Sequence, residues 1–437
     1  IRISQDMILG SSINLQGVSG QNVKIMVDGV PVIGRVGDDI DLSQINLSNI
    51  ERVEIIEGPM SVNYGTNALG GVINLISRKS QLRRLDLVIN SQYESIGTRF
   101  LNGQIGFKPG KKWLLRGDLG YNGFEGFNAA PPKDASMERT FQWNPKNSWF
   151  ANTMLRFNTG EDSHARWNAG FFSETIENLG PIRRPQFKPY AFDEYYHTQR
   201  SDQSLAWEGR LSEHFFGQLT AAYNNFERKK ESIRLDLETG EQVRIHSEED
   251  TTAFEAFVFR PVIASQFPNS PINFQAGLDF NFEKARGKRF QDNSSGGDFR
   301  AAIGDYAAFL AFQYNPTTAM QIQLGARAAY NTKFKAPLVP SFHVKYDLNE
   351  HMQFRASYAS GFRSPSVKEL FFYFVDASHF IVGNPDLKAE TSHNFQAIAD
   401  LQLPQKPDLK LTLTAFYNDI ANKIELYDFV EIDGVPV

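Results

Sequence analysis

The feature that most constrains this chain is an alternation of apolar and polar residues, sustained over long segments and repeated along most of its length. In INFQAGLDFNFEK, Ile272, Phe274, Ala276, Leu278, Phe280 and Phe282 fall on one face, and Asn273, Gln275, Gly277, Asp279, Asn281 and Glu283 on the other. AMQIQLGARAAY sets Met320, Ile322, Leu324, Ala326, Ala328 and Tyr330 against Gln321, Gln323, Gly325, Arg327 and Ala329. DLKLTLTAFYN and HMQFRASYAS follow the same rule. Side chains of a strand point alternately to its two faces, so each segment reads as a strand with one apolar face. Strands of soluble sandwiches usually run about 5–6 residues, whereas a tilted strand needs about 10 to cross a bilayer. About 15 such segments are expected between Leu82 and Leu426.

The connections alternate as well. Lys108–Lys111, Asn315–Thr317 and Asp347–Glu350 read as tight turns; Asn122–Lys146, Glu177–Thr198 and Arg286–Ala301 read as long polar or proline-rich loops. Short turns at one end and long loops at the other suit a bacterial outer-membrane barrel. The competing architecture is a large soluble β-protein. A propeller would show a repeat of roughly 40–50 residues, and no repeated motif is seen. Mean hydropathy is −0.37 and no stretch reaches the ~20 apolar residues of a membrane helix, which excludes a helical membrane protein but not a barrel.

Composition agrees. The chain carries 36 Phe against 5 Trp, a bias toward strands. Its net charge of −5 leaves no nucleic-acid footprint. With no Cys, thiol catalysis, thiolate metal sites and disulfides are excluded. The opening IRISQDMILG lacks the order of a signal peptide, and both ends are expected to be cuts through a longer protein.

Residues 1–80 have a different texture. VKIMVDGVPVIGR holds a strand followed by Asp28-Gly29, a hairpin signal. Asp41–Ile56 reads as a short helix capped by Asp41 or Ser43 that ends as a strand. IERVEIIEGPMSVNYGTNALGGVINLISRK reads as strand, tight turn, glycine-rich bend, strand. These short elements make a small α/β globule ahead of the alternating region, residues 81–437.

GQNVKIMVDGVPV and the IERVEI, GP, YG and GGVINLI elements resemble the plug domain of TonB-dependent outer-membrane transporters. GFRSPSVKELF and GNPDLKAETSHNFQ, within Gly361–Gln396, resemble the barrel signature of the same family. The resemblance implies a mainly β fold: a large antiparallel transmembrane barrel of roughly 22 strands, part of it present here, filled by the plug. Strands missing from this count would follow Val437, and the start of the plug, with the segment that grips TonB, would precede Ile1. A wet lumen would require the plug to meet the wall through hydrogen bonds and charge pairs rather than apolar contact. Glu51, Arg52, Glu54 and Glu57 are the expected plug–wall contacts.

The resemblance implies energised import of a large scarce solute across the outer membrane, with a ferric siderophore or other iron chelate including haem as the expected cargo. TonB and outer-membrane lipid are the implied partners. The competing cargo is cobalamin, a glycan or a peptide, the glycan case with a surface lipoprotein as lid. A passive porin has no use for a stopper. No Walker A, HExxH or GxSxG constellation supports an enzyme, and no cofactor is expected. The expected ligand-facing residues are Tyr64 and Arg35 on the plug, and Arg183, Arg184, Tyr195 and Tyr196, whose basic and aromatic chemistry suits an anionic chelate; the other reading of Tyr195 and Tyr196 is an aromatic girdle. His379, between FRSP and NPDL, resembles the axial ligand of haem receptors; the other reading is a loop histidine making hydrogen bonds.

Overall fold

The computed structural model describes residues 2–6, 10–15, 18–35, 39–58, 61–79, 83–184, 188–268, 270–290, 299–375, 380–403, 406–425, 431–432 and 435–436. Its dominant element is an antiparallel sheet of sixteen strands. Fifteen of them follow one another as a meander from Leu85–Tyr93 to Lys406–Ala421, and the short Gln242–Arg244 hangs on one of them. Strand length runs from 9 residues at Leu85–Tyr93 to 22 at Phe215–Asp236. The two terminal strands of the meander are not joined to each other among the described residues.

The alternation sets the orientation of the wall. On Ile272–Gly287, Asp279 and Ala285 are buried on the concave side, while Leu278 is exposed on the convex side. The same holds for Arg327, buried, against Leu324, exposed. The convex surface is therefore apolar and the concave surface polar, the reverse of a soluble protein. Aromatic pairs mark its two ends: Trp113 with Phe157 and Phe215 with Phe267 near the short turns, Tyr121 with Trp149 and Tyr306 with Tyr330 near the long connections.

The connections alternate as the sequence suggests. Phe107 to Trp113, Asn158 to Ser163, Arg210 to Phe215 and Asn349 to Met352 are short; Phe124 to Lys146 and Arg363 to Glu390 are long and lie at the other end. One expected loop is corrected. The strand after Glu177–Thr198 begins earlier, at Tyr190, because Tyr190–Arg210 pairs residue by residue with Phe215–Asp236, and from Glu194 onward with Ser163–Asn178 as well; Tyr195 and Tyr196 are strand residues, not loop residues.

Inside the concavity sits a small body. Its sheet has the order Val30–Pro31, Val23–Val27, Gly71–Ser77, Ile50–Glu57, with Val23–Val27 and Gly71–Ser77 parallel. Asp28 and Gly29 close the hairpin with φ of 50° and 82°, the left-handed pair that a two-residue turn of this hand requires. The expected helix after Asp41 is a 3-10 turn, Leu42–Gln44, with the Asp41 carboxylate accepting from the Ser43 amide at 2.9 Å. Ile13, Leu15, Val23, Ile25, Ile40, Ile73 and Leu75 form its core. Among the described residues its helix is confined to the turn Ser61–Tyr64 and to 3-10 turns.

Candidate functional site

The body is held in the concavity from two sides. On one side the strand Val23–Val27 carries Lys24, whose ammonium is buried and donates to the carbonyls of Tyr64 and Thr66. Burial lowers its pKa from 10.5 to about 8, against the raising effect of nearby Asp279. Around it on the wall, Arg327 pairs with Asp279 at 3.0 Å and approaches Asp305 at 3.9 Å. Arg260 donates to the Asn63 carbonyl and lies 6.0 Å from the Tyr64 ring centre. Gly65, at φ 79°, lets the turn sit against this cluster: a Cβ there would lie 2.9 Å from Arg327 Nη2.

The turn then runs onto the wall strand Met352–Arg363. The Asn67 amide and the Thr66 hydroxyl both donate to the Phe362 carbonyl, and Val62 packs on Val339 and Phe362. Behind them Arg363 is gripped by two carboxylates, donating twice to Glu390 at 2.8 and 2.9 Å and once to Glu369 at 2.9 Å. Glu369 also completes a capping box with Ser366 at the start of Val367–Phe371. The FRSP and KAETS words of the sequence are thus parts of one buried ion pair.

On the other side, Arg200 donates to Gln44 Oε1 at 3.0 Å and to the Ile33 carbonyl at 2.7 Å, while its guanidinium lies over the Phe226 ring at 4.8 Å. Asn46 bonds Asp118, Gln104 donates to the Ser48 carbonyl and Asn224 to the Pro31 carbonyl.

Of the expected plug–wall charges, Arg52 and Glu54 do not make these contacts, while Glu51 lies in the field of Arg116 on the wall. Arg52 and Glu54 bond each other at 2.7 Å on an exposed face of their own strand, and Glu51 is exposed. They lie two apart on one strand, so their side chains share a face and reach each other first. The Glu57 side chain lies outside the described residues. Nor is the contact wholly polar. Ile33 packs into Phe226, Phe254, Ala256, Ala285, Phe290 and Val367, an apolar island closed from above by Phe290 and the Val367–Phe371 turn. Gly34, at φ 81°, permits the approach, since a Cβ there would fall 2.2 Å from Phe226 Cγ.

Between the body and the wall, toward the long connections, lies a cavity of about 110 Å³ lined by Lys24, Arg35, Asn67, Glu283, Asn331 and Lys368, among others. Arg35 reaches it, but its guanidinium donates to the carbonyls of Gly20 and Val23 at 3.0 and 2.9 Å. Tyr64 packs against Met26, Ala68 and Val72 and faces Arg260. Tyr196 donates to Glu194 at 2.8 Å, which also pairs with Lys230, and the Arg228 guanidinium lies over the Tyr196 ring at 4.8 Å. Tyr195 stands opposite Glu231 in register. Arg183 lies 5.0 Å from the Phe192 ring centre, and Arg183 and Arg184 are exposed; neither lines the cavity. His379 lies outside the described residues. Sequence reasoning missed Arg200, Arg228, Arg260 and Arg327. The signal for Arg200, Arg260 and Arg327 was a lone cation on the polar face of an alternating strand; Arg228 stands in a run of cations.

A polar-lined wall with an apolar outside, stoppered by a separate body bonded to it on two sides, is an unusual object, and two family models match it. The TonB-dependent receptor plug domain matches residues 3–72, and the TonB dependent receptor-like β-barrel matches residues 77–436. The chain belongs to the TonB-dependent receptor family. Members are outer-membrane β-barrels, and among the described residues no helix is long and apolar enough to cross a membrane. This receptor is 23% identical over 435 residues to the iron-regulated outer membrane virulence protein of Vibrio cholerae, covering 95% of this chain and 61% of the relative. It is 28% identical over 121 residues to the vitamin B12 transporter BtuB of the same organism, covering 28% of this chain and 20% of the relative. Among solved structures, the siderophore receptor PirA from Acinetobacter baumannii matches with a TM-score of 0.75 at 18% identity, covering 96% of this chain and 66% of that one. The ferric enterobactin receptor PfeA from Pseudomonas aeruginosa matches with 0.71 at 17% identity, covering 93% and 64%. The chain therefore spans less than two thirds of the length of the iron-regulated relative and of the two solved receptors.

Proposed function

We propose that the full-length protein imports a ferric siderophore or a similar anionic iron chelate across the outer membrane, with TonB supplying the energy through the plug. The observation that carries this reading is the cluster of Tyr196, Arg228 and Lys230 on the wall strands Tyr190–Arg210 and Phe215–Asp236 toward the long connections, beside which the plug and wall enclose a separate cavity lined in part by Lys24 and Arg35. Cations beside aromatic rings, in a confined polar site, match the carboxylate or catecholate oxygens and flat rings of such chelates. The iron-related names of the relatives support the cargo class. In this reading Tyr196 and Arg228 touch the ligand, Arg183 and Arg184 attract it at the rim, and lipid covers the convex apolar face. Arg35 and Tyr64 act as supports of the plug surface, since the Arg35 guanidinium is engaged within the plug and the Tyr64 ring packs on its core and faces Arg260. No covalent chemistry is required.

The match to a vitamin B12 transporter favours one second reading, in which the cargo is a cobalamin. Uptake of radiolabelled ferric chelates and of labelled cobalamin, by cells carrying or lacking the full-length gene under iron limitation, separates the two. Iron uptake is expected to depend on the gene. Gene-dependent cobalamin uptake with unchanged iron uptake would overturn the first reading.

A further inference from the structure

On the side of the plug held by Arg200 and Asn46, the wall builds a row of oxygens. Asn152, Gly170, Asp202 and Asn224 stand directly opposite one another on four neighbouring strands, on the face that meets the plug. Asn168 and Ser204 form the next row on that face, two residues nearer the short turns. Between these rows and Val30, Pro31 and Ile45 of the plug lies a cavity of about 160 Å³. Gly170 carries no side chain, and a Cβ there would lie 2.9 Å from Asn152 Oδ1, so that oxygen overlies the glycine on the way to Asp202.

The amides are oriented by their nitrogens. Asn152 Nδ2 donates to the Asp118 carboxylate at 2.8 Å, Asn224 Nδ2 to the Pro31 carbonyl at 3.0 Å and Asn168 Nδ2 to the Ser204 hydroxyl at 3.1 Å. A carboxylate and a carbonyl only accept, so the first two amides cannot be turned over. Among the described residues none of the three amide oxygens accepts a hydrogen bond, and neither does the Asp202 carboxylate. Arg200 stands two residues from Asp202 on the same face, but it donates to Gln44 and to the Ile33 carbonyl, and no ion pair joins it to Asp202 among the described residues. Acceptors gathered in a confined space without donors are costly unless a positive charge meets them.

We propose that Asp202, Asn224, Asn152 and Asn168 form a binding site for a hydrated calcium ion between wall and plug. One carboxylate with several amide oxygens is a hard, all-oxygen ligand set, and calcium accepts such sets in flexible geometry with water in the remaining places. The cavity has room for those waters. A single charged ligand, with the Arg200 cation on the same face, sets a weak affinity, with a Kd of about 1 mM. The ion joins four wall strands beside the Asn46 contact, so calcium tunes how firmly this side of the plug is held. The inference goes beyond the import reading and does not depend on the cargo.

The test uses the full-length protein in lipid-free detergent micelles, stripped of metal by a chelator. Its thermal midpoint is followed against calcium chloride at constant ionic strength, with methylammonium chloride as the competing cation. The wild-type midpoint is expected to rise with calcium and not with methylammonium. Asp202→Asn is expected to need at least about tenfold more calcium for the same rise, and Asp202→Glu to keep most of the response. In chelator the Asp202→Asn midpoint is expected to match or exceed that of the wild type, because an unpaired carboxylate is gone. Should that variant fail to fold, Gly170→Ala, whose methyl displaces Asn152 Oδ1, is expected to show the same loss. Crystals soaked in strontium are expected to show anomalous density between Asp202 and Asn224. No calcium response in the wild type, an unchanged response in the folded variant, an equal response to methylammonium, or strontium density only elsewhere would each overturn the site. Failure of iron uptake in cells would overturn the import reading and leave these results untouched.

Discussion

The two flanks of the plug are held differently. On the flank of Lys24 and the turn Ser61–Tyr64, ion pairs, backbone bonds to Phe362 and the apolar contact of Val62 are close to one another. On the flank of Ile45 and Asn46, polar bonds from Arg200, Asn224 and Asp118 surround an open space of about 160 Å³, lined by Phe150, Asn152, Met154, Phe172 and Asp202 among others. The Lys24 flank borders a space of its own, about 110 Å³, so the flanks differ in the bonds that cross them rather than in openness. The difference teaches that a pull on the plug meets unequal resistance. The flank of Asn46 is expected to separate first, with the Lys24 flank as the anchor.

The largest effect is expected behind the anchor. Arg363→Ala leaves the Glu390 and Glu369 carboxylates facing each other without their cation, and Glu390 is fully buried. Breaking such a pair costs about 3–5 kcal/mol. Thermal unfolding of the full-length protein should show it as a fall in midpoint, accompanied by faster proteolysis of the plug; an unchanged midpoint would remove Arg363 from the anchor. Next comes Gly34→Val, which forces a branched side chain into Phe226 at a left-handed backbone position, at a cost of about 2–4 kcal/mol from overpacking and backbone strain together. Gly103→Ala, where a Cβ meets nothing within 4 Å, serves as the control with little effect.

Lys24→Met should release the plug at lower denaturant, whereas Asn152→Ala on the opposite flank should change it by less than about 1 kcal/mol. Equal effects would erase the contrast between the flanks. Lys24 also carries a pH signature. Its folded pKa of about 8 lies below the unfolded value of 10.5, so between those values the unfolded chain holds more protons. Its contribution to stability therefore rises with pH from about 8 to about 10.5 and is flat below 8. The difference in unfolding midpoint between wild type and Lys24→Met should follow that curve; a difference independent of pH would mean that the ammonium is not buried. The smallest effect belongs to Arg52→Ala, since an exposed pair with Glu54 contributes about 0–1 kcal/mol. A large loss of plug anchoring from Arg52→Ala would restore the original expectation for that strand.

The alternation of Ile272–Gly287 and Met320–Asn331 determined strand, length and lipid-like face directly, because those follow from a period of two within one segment. Asp28-Gly29 determined its hairpin for the same local reason. The site was less accessible. Glu51, Arg52 and Glu54 were conspicuous charges, yet the side chains that hold the plug are Lys24, Arg200, Arg260 and Gln44, most of them single polar residues on otherwise ordinary strands. Which of them meet depends on register accumulated across many strands, and a shift of one residue would turn every lumen side chain outward. The sequence by itself therefore determined what each segment is and which way its faces differ. Only the tertiary structure decided which charges meet, as Arg363 meets Glu390 and Lys24 enters the field of Asp279, because those encounters join residues far apart in the chain whose spacing carries no local signal.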